Sequence, residues 1–199
     1  MSLYKNKYRV ESTRLQNWDY GWNANYFVTV VIKNRKHFFG EIRNGKIILS
    51  EIGKIVRDEW LKTPDIRPDM NIKLGVFCVM PNHFHGIIEI GKNKYNKRDL
   101  ERNCRDAMHC VSTTITTNNT TKSKNKFGPQ CKNLASIKRG FKSAVTIKAR
   151  KINPDFGWQS RYHDHIIRND DEYQRIKQYI INNPINWDDD KFNTIINNE

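Results

Sequence analysis

The order of periodic segments predicts an α+β fold, in which helices pack against an antiparallel sheet. Two observations carry this. Runs rich in β-branched and aromatic residues at 26–33, 72–79, 83–90 and 158–167 read as strands. Segments with apolar residues every three to four positions, at 48–61, 132–150 and 170–182, read as helices.

Taken in order, the first strand is Tyr26-Phe-Val-Thr-Val-Val-Ile-Lys33. A turn signal at Asn44-Gly45 follows. Leu49, Ile52, Val56 and Trp60 then recur at helical spacing, and Pro64 closes the helix. The second strand ends at the turn signal Met80-Pro81-Asn82 and the third starts at His83, so the two read as a hairpin. Leu134, Ile137, Phe141 and Val145 mark the next helix. The last one carries the stripe Tyr173, Ile176 and Ile180 and ends before Pro184. The sum is βαββαβ, a ferredoxin-like arrangement with helices on one face of the sheet, plus a C-terminal helix that carries Tyr179. A chain of 199 residues is expected to form one domain, with a core over about 26–187. Residues 91–130 are rich in Lys, Asn, Ser and Thr without sustained periodicity, and read as a basic, mobile insertion.

Charge narrows the function. There are 35 Lys and Arg against 21 Asp and Glu, a formal net charge of +14, and the sequence pI is near 9.7. A surplus of this size points to a polyanionic partner, nucleic acid before a membrane surface. No acidic residue occurs between Asp106 and Asp155, whereas ten Lys and Arg do, among them Lys132, Lys138, Arg139 and Lys142. That pattern suits a track of phosphate contacts with salt-dependent affinity. No apolar run is long enough for a membrane span, and the polar N-terminus carries no secretory signal, so the expected location is the cytoplasm, in association with the nucleoid. Cys78, Cys104, Cys110 and Cys131 lack the paired spacing of a zinc site, although Cys104, His109 and Cys110 are close in sequence.

Two features bear on chemistry. In His83-Phe84-His85 the period-two geometry of a strand sends both imidazoles to one face, about 7 Å apart at Cα. Phe84, Ile88 and Ile90 go to the other. Two neutral imidazoles so placed can share a divalent metal, but the spacing by itself favours two histidines on a half-exposed face that bind nothing. Tyr179 lies beside the apolar stripe of the last helix, with Asn183 four positions on and able to share its face. A packing role accounts for that tyrosine as well as a nucleophilic one does.

Three blocks together resemble a known family. Val79-Met-Pro-Asn-His-Phe-His-Gly86 is similar to the histidine–hydrophobic–histidine segment of IS200-like transposases, in particular the REP-associated single-tyrosine (HUH) transposases. The run from Gly157-Trp158-Gln159 through Arg161 and His165 to Asn169 resembles their second block, and Tyr179-Ile-Ile-Asn-Asn183-Pro184 their nucleophile helix. The resemblance implies metal-dependent nicking and rejoining of single-stranded or hairpin DNA, flanked by repeats, through a 5′-phosphotyrosine. It implies His83 and His85 as ligands of Mg²⁺ or Mn²⁺, Asn183 as the third ligand, Tyr179 as nucleophile and a homodimer as the assembly. Glu89 shares the histidine face but lies two alternations beyond His85, too far to join them. Arg161 joins Lys132, Lys138, Arg139 and Lys142 as expected DNA contacts; Trp158, Gln159 and His165 support the site or touch DNA, with no catalytic role. The competing reading is a non-catalytic DNA-hairpin-binding protein of the same fold.

Overall fold

A computed structural model describes Leu15 and residues 18–96, 131–160 and 163–193. Four strands form one sheet: β1 (Ala24–Val31), β4 (Ile72–Val79), β5 (His83–Ile90) and β6 (His163–Ile167), in the order β4-β5-β1-β6, every pairing antiparallel. This is the order expected of a βαββαβ chain. The long central pairing runs in unbroken register from Ala24 opposite Ile90 to Val31 opposite His83.

The pleat divides the molecule in two. Tyr26, Val28 and Val30 of β1 and Phe84, Ile88 and Ile90 of β5 are buried on one face. There they meet α1 (Glu51–Leu61) through Ile52, Val56 and Trp60, and α3 (Leu134–Ala149) through Leu134, Ile137, Phe141 and Val145. The indole of Trp60 is the keystone, with ring centroids 4.7 Å from Phe84 and 5.4 Å from Phe141. Burying such an aromatic ring contributes roughly 1.5–3 kcal/mol. Gly86 is required by the same cluster, since a Cβ there would stand 3.0 Å from both the Phe84 ring and the Trp60 indole. Phe27, Ile87 and Ile167 face the opposite way and pack against Tyr173, Ile176 and Ile180 of α4 (Asp170–Asn182). Thus α1 and α3 share one face as expected, and the tyrosine-bearing helix covers the other.

Local chemistry explains the boundaries. Ser50 caps α1 by accepting the Gly53 N–H at 3.1 Å, so the helix starts at Glu51 and not at 48. The four residues before Ser50 belong to a second, two-stranded sheet that the periodicity did not disclose, made of β2 (Gly40–Arg43) and β3 (Lys46–Leu49). Its turn is Asn44-Gly45, with φ of 51° and 68°, the left-handed pair that a tight hairpin demands. Each strand is four residues long and half exposed, too short to leave an alternation signature. A one-turn helix, α2 (Thr63–Ile66), follows α1. Asn133 and Ser136 form a reciprocal capping box at the start of α3. The final strand is shorter than the sequence reading, and Trp158 makes only an isolated bridge to Ile32. Residues 97–130, the bulk of the expected insertion, lie outside the described residues, as does Arg161. Among the described residues no helix is long and apolar enough to cross a membrane.

Candidate active site

His83 and His85 leave the start of β5 on the α4 face, with ring centroids 4.5 Å apart, and are 0% and 1% exposed. Each Nδ1 is held from behind. His83 Nδ1 lies 2.8 Å from the Asn82 side-chain oxygen, and His85 Nδ1 lies 2.8 Å from Thr29 Oγ1. An amide oxygen only accepts, so the His83 proton sits on Nδ1 and its Nε2 presents a lone pair. That lone pair is buried and has no hydrogen-bond partner. Asp190 Oδ2 stands 3.9 Å from it. One ligand atom from each of His83, His85 and Asp190 lies within 4.8 Å of the others. The Asn183 side-chain oxygen is likewise buried without a partner, while its amide donates to Asp190 Oδ2 at 3.2 Å. Two inward imidazole nitrogens with fixed outer hydrogen bonds, a carboxylate and an orphaned amide oxygen are a donor set that could hold a divalent metal.

The electrostatics agree. Burial pushes the His83 imidazole down to about 4, against the opposing pull of Asp190. Burial, reinforced by the neighbouring His83, lowers His85 well below its ordinary range. Both rings are therefore neutral at physiological pH, the form that ligates metals.

Tyr179 projects from the last turn of α4 and is 43% exposed. Its hydroxyl lies 3.3 Å from His85 Nε2, and its ring stands edge-on to Phe27 at 6.2 Å. Burial first, and then the nearby Asp190 carboxylate, raise the phenol above its usual range. Added positive charge at the histidines would reverse that bias. Asn183 keeps helical geometry at the C-cap (φ −56°, ψ −42°), so it does share the Tyr179 face.

The structure thus gathers His83, His85, Tyr179 and Asn183 at one spot. It does not bring Lys138, Arg139 and Lys142 there, because α3 lies on the opposite face of the sheet. Lys138 requires a correction: it is 1% exposed and pairs with Asp164 of β6 at 3.2 Å, inside the protein, so it cannot meet a DNA phosphate. Lys132 pairs with Asp69 and stands over the Tyr95 ring, and Lys142 lies over the Trp158 indole. Arg139 is exposed on α3. Glu89 pairs with Lys73 at 3.8 Å, away from the histidines. Trp158 donates its indole N–H to the Lys142 carbonyl, and His165 meets Glu172 at 2.7 Å, bracing the first turn of α4. Sequence reading missed Thr29, Asn82 and Asp190. In the sequence Asn82 reads as a turn residue, Thr29 as one residue of the first strand, and Asp190 as one of three consecutive aspartates.

No family model matches the chain. Among solved structures, that of a REP-associated tyrosine transposase bound to a REP hairpin superposes with a TM-score of 0.54 at 17% identity, covering 89% of this chain and 74% of the other. At that identity the likeness is one of fold. An uncharacterized protein of Haemophilus influenzae is 35% identical over 181 residues, which span 90% of this chain and 91% of that protein. An identity of that size along nearly the whole of both chains is sequence kinship, and the chain belongs to the same family as the Haemophilus influenzae protein.

Proposed function

We propose that the protein is a transposase of the single-tyrosine HUH type, which nicks and rejoins single-stranded or hairpin DNA through a 5′-phosphotyrosine. The observation that carries this is the Tyr179 hydroxyl, 3.3 Å from Nε2 of a histidine whose other nitrogen is fixed by Thr29. An exposed phenol beside a buried pair of neutral imidazoles is an arrangement that packing alone does not require. The fold neighbour's hairpin ligand and the +14 charge support DNA as the substrate. The unit of action on this reading is one domain with its core over about 26–187.

His83, His85 and an oxygen from Asp190 or Asn183 would hold Mg²⁺ or Mn²⁺. An ion held there would supply polarisation of the scissile phosphate and neutralisation of developing charge. The remaining work belongs to the chain. Thr29 and Asn82 lock the imidazole orientations, and Phe27 fixes the edge of the tyrosine ring. Tyr179 Oη attacks phosphorus as the bond from phosphorus to the 3′ oxygen breaks. One proton leaves the phenol and one arrives at the 3′ oxygen, so the phosphodiester energy is kept in the phosphotyrosine and strand transfer is the reverse attack.

The test is Tyr179→Phe. It removes one oxygen and preserves the ring. Wild type incubated with a hairpin oligonucleotide and Mn²⁺ is expected to give a covalent protein–DNA adduct on a denaturing gel, and the variant none. Cleavage should fall by roughly two orders of magnitude or more. Cleavage that survives the substitution without an adduct would indicate water as the nucleophile, and hairpin binding without cleavage in either protein would indicate a binding module.

A further inference from the structure

Transfer of a strand to Tyr179 moves two protons, one off the phenol and one onto the departing 3′ oxygen. An alkoxide is a poor leaving group near neutral pH, so a group that protonates it in the transition state counts for much. Neither His83 nor His85 is suited to that task. Burial holds both rings neutral, and their outer nitrogens are taken by Asn82 and Thr29.

A third imidazole stands on the same face of the sheet. His163 opens the edge strand β6 opposite Thr29, and Thr29 is also opposite His85, so His85, Thr29 and His163 form one row across three neighbouring strands. A strand spacing of about 4.8 Å puts the two histidines roughly 10 Å apart. Phe27, two residues before Thr29, points to the same face. Its ring is stacked on His85 at 5.3 Å and meets Tyr179 edge-on at 6.2 Å and His163 edge-on at 6.4 Å. Tyr179 and His163 thus border the same phenylalanine ring. His165, the next histidine on this face of β6, is engaged by Glu172 at 2.7 Å. His163 is exposed and makes no hydrogen bond or ion pair among the described residues. Burial lowers its imidazole from the usual value; Asp164 opposes that, and Lys191, His165 and Lys138 add to it. A phosphodiester drawn beside the ring would pull it back up. Imidazole is the side chain that can both give and take a proton near neutral pH.

We propose that His163 is the acid–base residue of the reaction, protonating the 3′ oxygen as it leaves and taking the proton back from the 3′ hydroxyl in strand transfer. In the first step the bond between Tyr179 Oη and phosphorus forms. The bond from phosphorus to the 3′ oxygen breaks with its electron pair on that oxygen, which receives the imidazolium proton. The phenol proton passes to solvent from the half-exposed tyrosine. In the return step the neutral His163 ring accepts the hydroxyl proton, the 3′ oxygen attacks phosphorus, and Tyr179 leaves and is reprotonated from solvent. Attacking and leaving oxygens lie roughly in line through phosphorus. Nucleophile and acid must therefore come from different elements, and α4 and β6 supply them. The proposal rests on the reading of Tyr179 as nucleophile.

Two hairpin oligonucleotides test it, identical except that one carries sulfur in place of the bridging 3′ oxygen at the phosphate that wild type cleaves. A thiolate leaves without a proton, so the acid becomes dispensable. With Mn²⁺ present, His163→Ala should cleave the oxygen substrate roughly 100-fold more slowly than wild type, and the sulfur substrate within about threefold of the wild-type rate. His163→Gln should behave like the alanine variant, since an amide hydrogen-bonds but does not titrate. Mn²⁺ affinity by calorimetry and Tm should match wild type in both variants, because the ring is exposed and outside the metal donor set. Equal losses on the two substrates would give His163 a binding or structural role only and overturn the proposal. So would no loss on either substrate, or a fall in Mn²⁺ affinity. A wild-type adduct without a selective loss in the variants sinks the His163 role alone, whereas no wild-type adduct on either substrate sinks the nucleophile reading and this role with it.

Discussion

Replacing Lys138 by methionine keeps much of the side-chain volume and removes one charge, which isolates what the buried ion pair contributes. Lys138 of α3 and Asp164 of β6 have side chains 1% and 3% exposed, with Nζ and Oδ1 3.2 Å apart. In the variant the Asp164 carboxylate remains inside the core beneath α3 with that ammonium gone. Breaking a buried pair from one side costs about 3–5 kcal/mol, because the surviving charge loses its buried counter-ion. For a chain of this size each kcal/mol moves Tm by roughly 2–4 °C, so Tm should drop by about 6–20 °C. Circular dichroism melts and urea titrations measure this directly. The double variant Lys138→Met with Asp164→Leu should regain most of the loss, since an apolar pair of similar volume needs no compensation. DNA affinity measured well below the melting range should be unchanged by Lys138→Met. A single variant as stable as wild type, or a double variant no better than the single, would refute the buried-pair account. A large loss of DNA affinity without loss of stability would restore Lys138 to a phosphate track.

Thr29→Val keeps the shape of the strand residue and deletes the partner of His85 Nδ1; Mn²⁺ affinity, measured by calorimetry, should fall by about 10- to 100-fold while the fold is retained, and an unchanged affinity would show that the hydroxyl does not orient the ring. The metal-free protein should become less stable as pH falls. His83 stays neutral down to about 4 in the folded state, whereas the unfolded chain takes up the proton near 6.5, so the unfolded state binds more protons through that window. Tm should therefore decline from about pH 6.5 towards 4, less so in His83→Gln, and a Tm that rises on acidification in this window would contradict the assignment.

Much of the site was legible because it depends on local periods. Alternation along β5 is enough to put His83 and His85 on one face and Phe84 on the other, and a four-residue helical step is enough to align Tyr179 with Asn183. The Lys138 pair leaves a trace in the sequence too. Leu134, Lys138, Phe141 and Val145 follow the apolar spacing of α3, so a lysine stood inside the core stripe, and Asp164 alternates with the exposed His163 and the partly exposed His165 on β6. Each looks anomalous alone; together they satisfy one another. The β2–β3 hairpin was hidden for the opposite reason, since four-residue half-exposed strands carry almost no pattern beyond their Asn44-Gly45 turn.

Sequence alone determined the α+β order of elements, the pairing of β4 with β5, the common face of the two histidines and the helix that bears Tyr179. These follow from steric rules that act over two to four residues. Tertiary structure alone decided which face of the sheet α4 would cover, that Thr29 on β1 would stand behind His85, and that Asp190 would return to His83 from 107 positions along the chain while its neighbours Asp188 and Asp189 stay exposed. No periodicity encodes such meetings. They arise when burial of two separate apolar faces fixes the sheet between α1 and α3 on one side and α4 on the other, so that the chain after α4 returns beside His83.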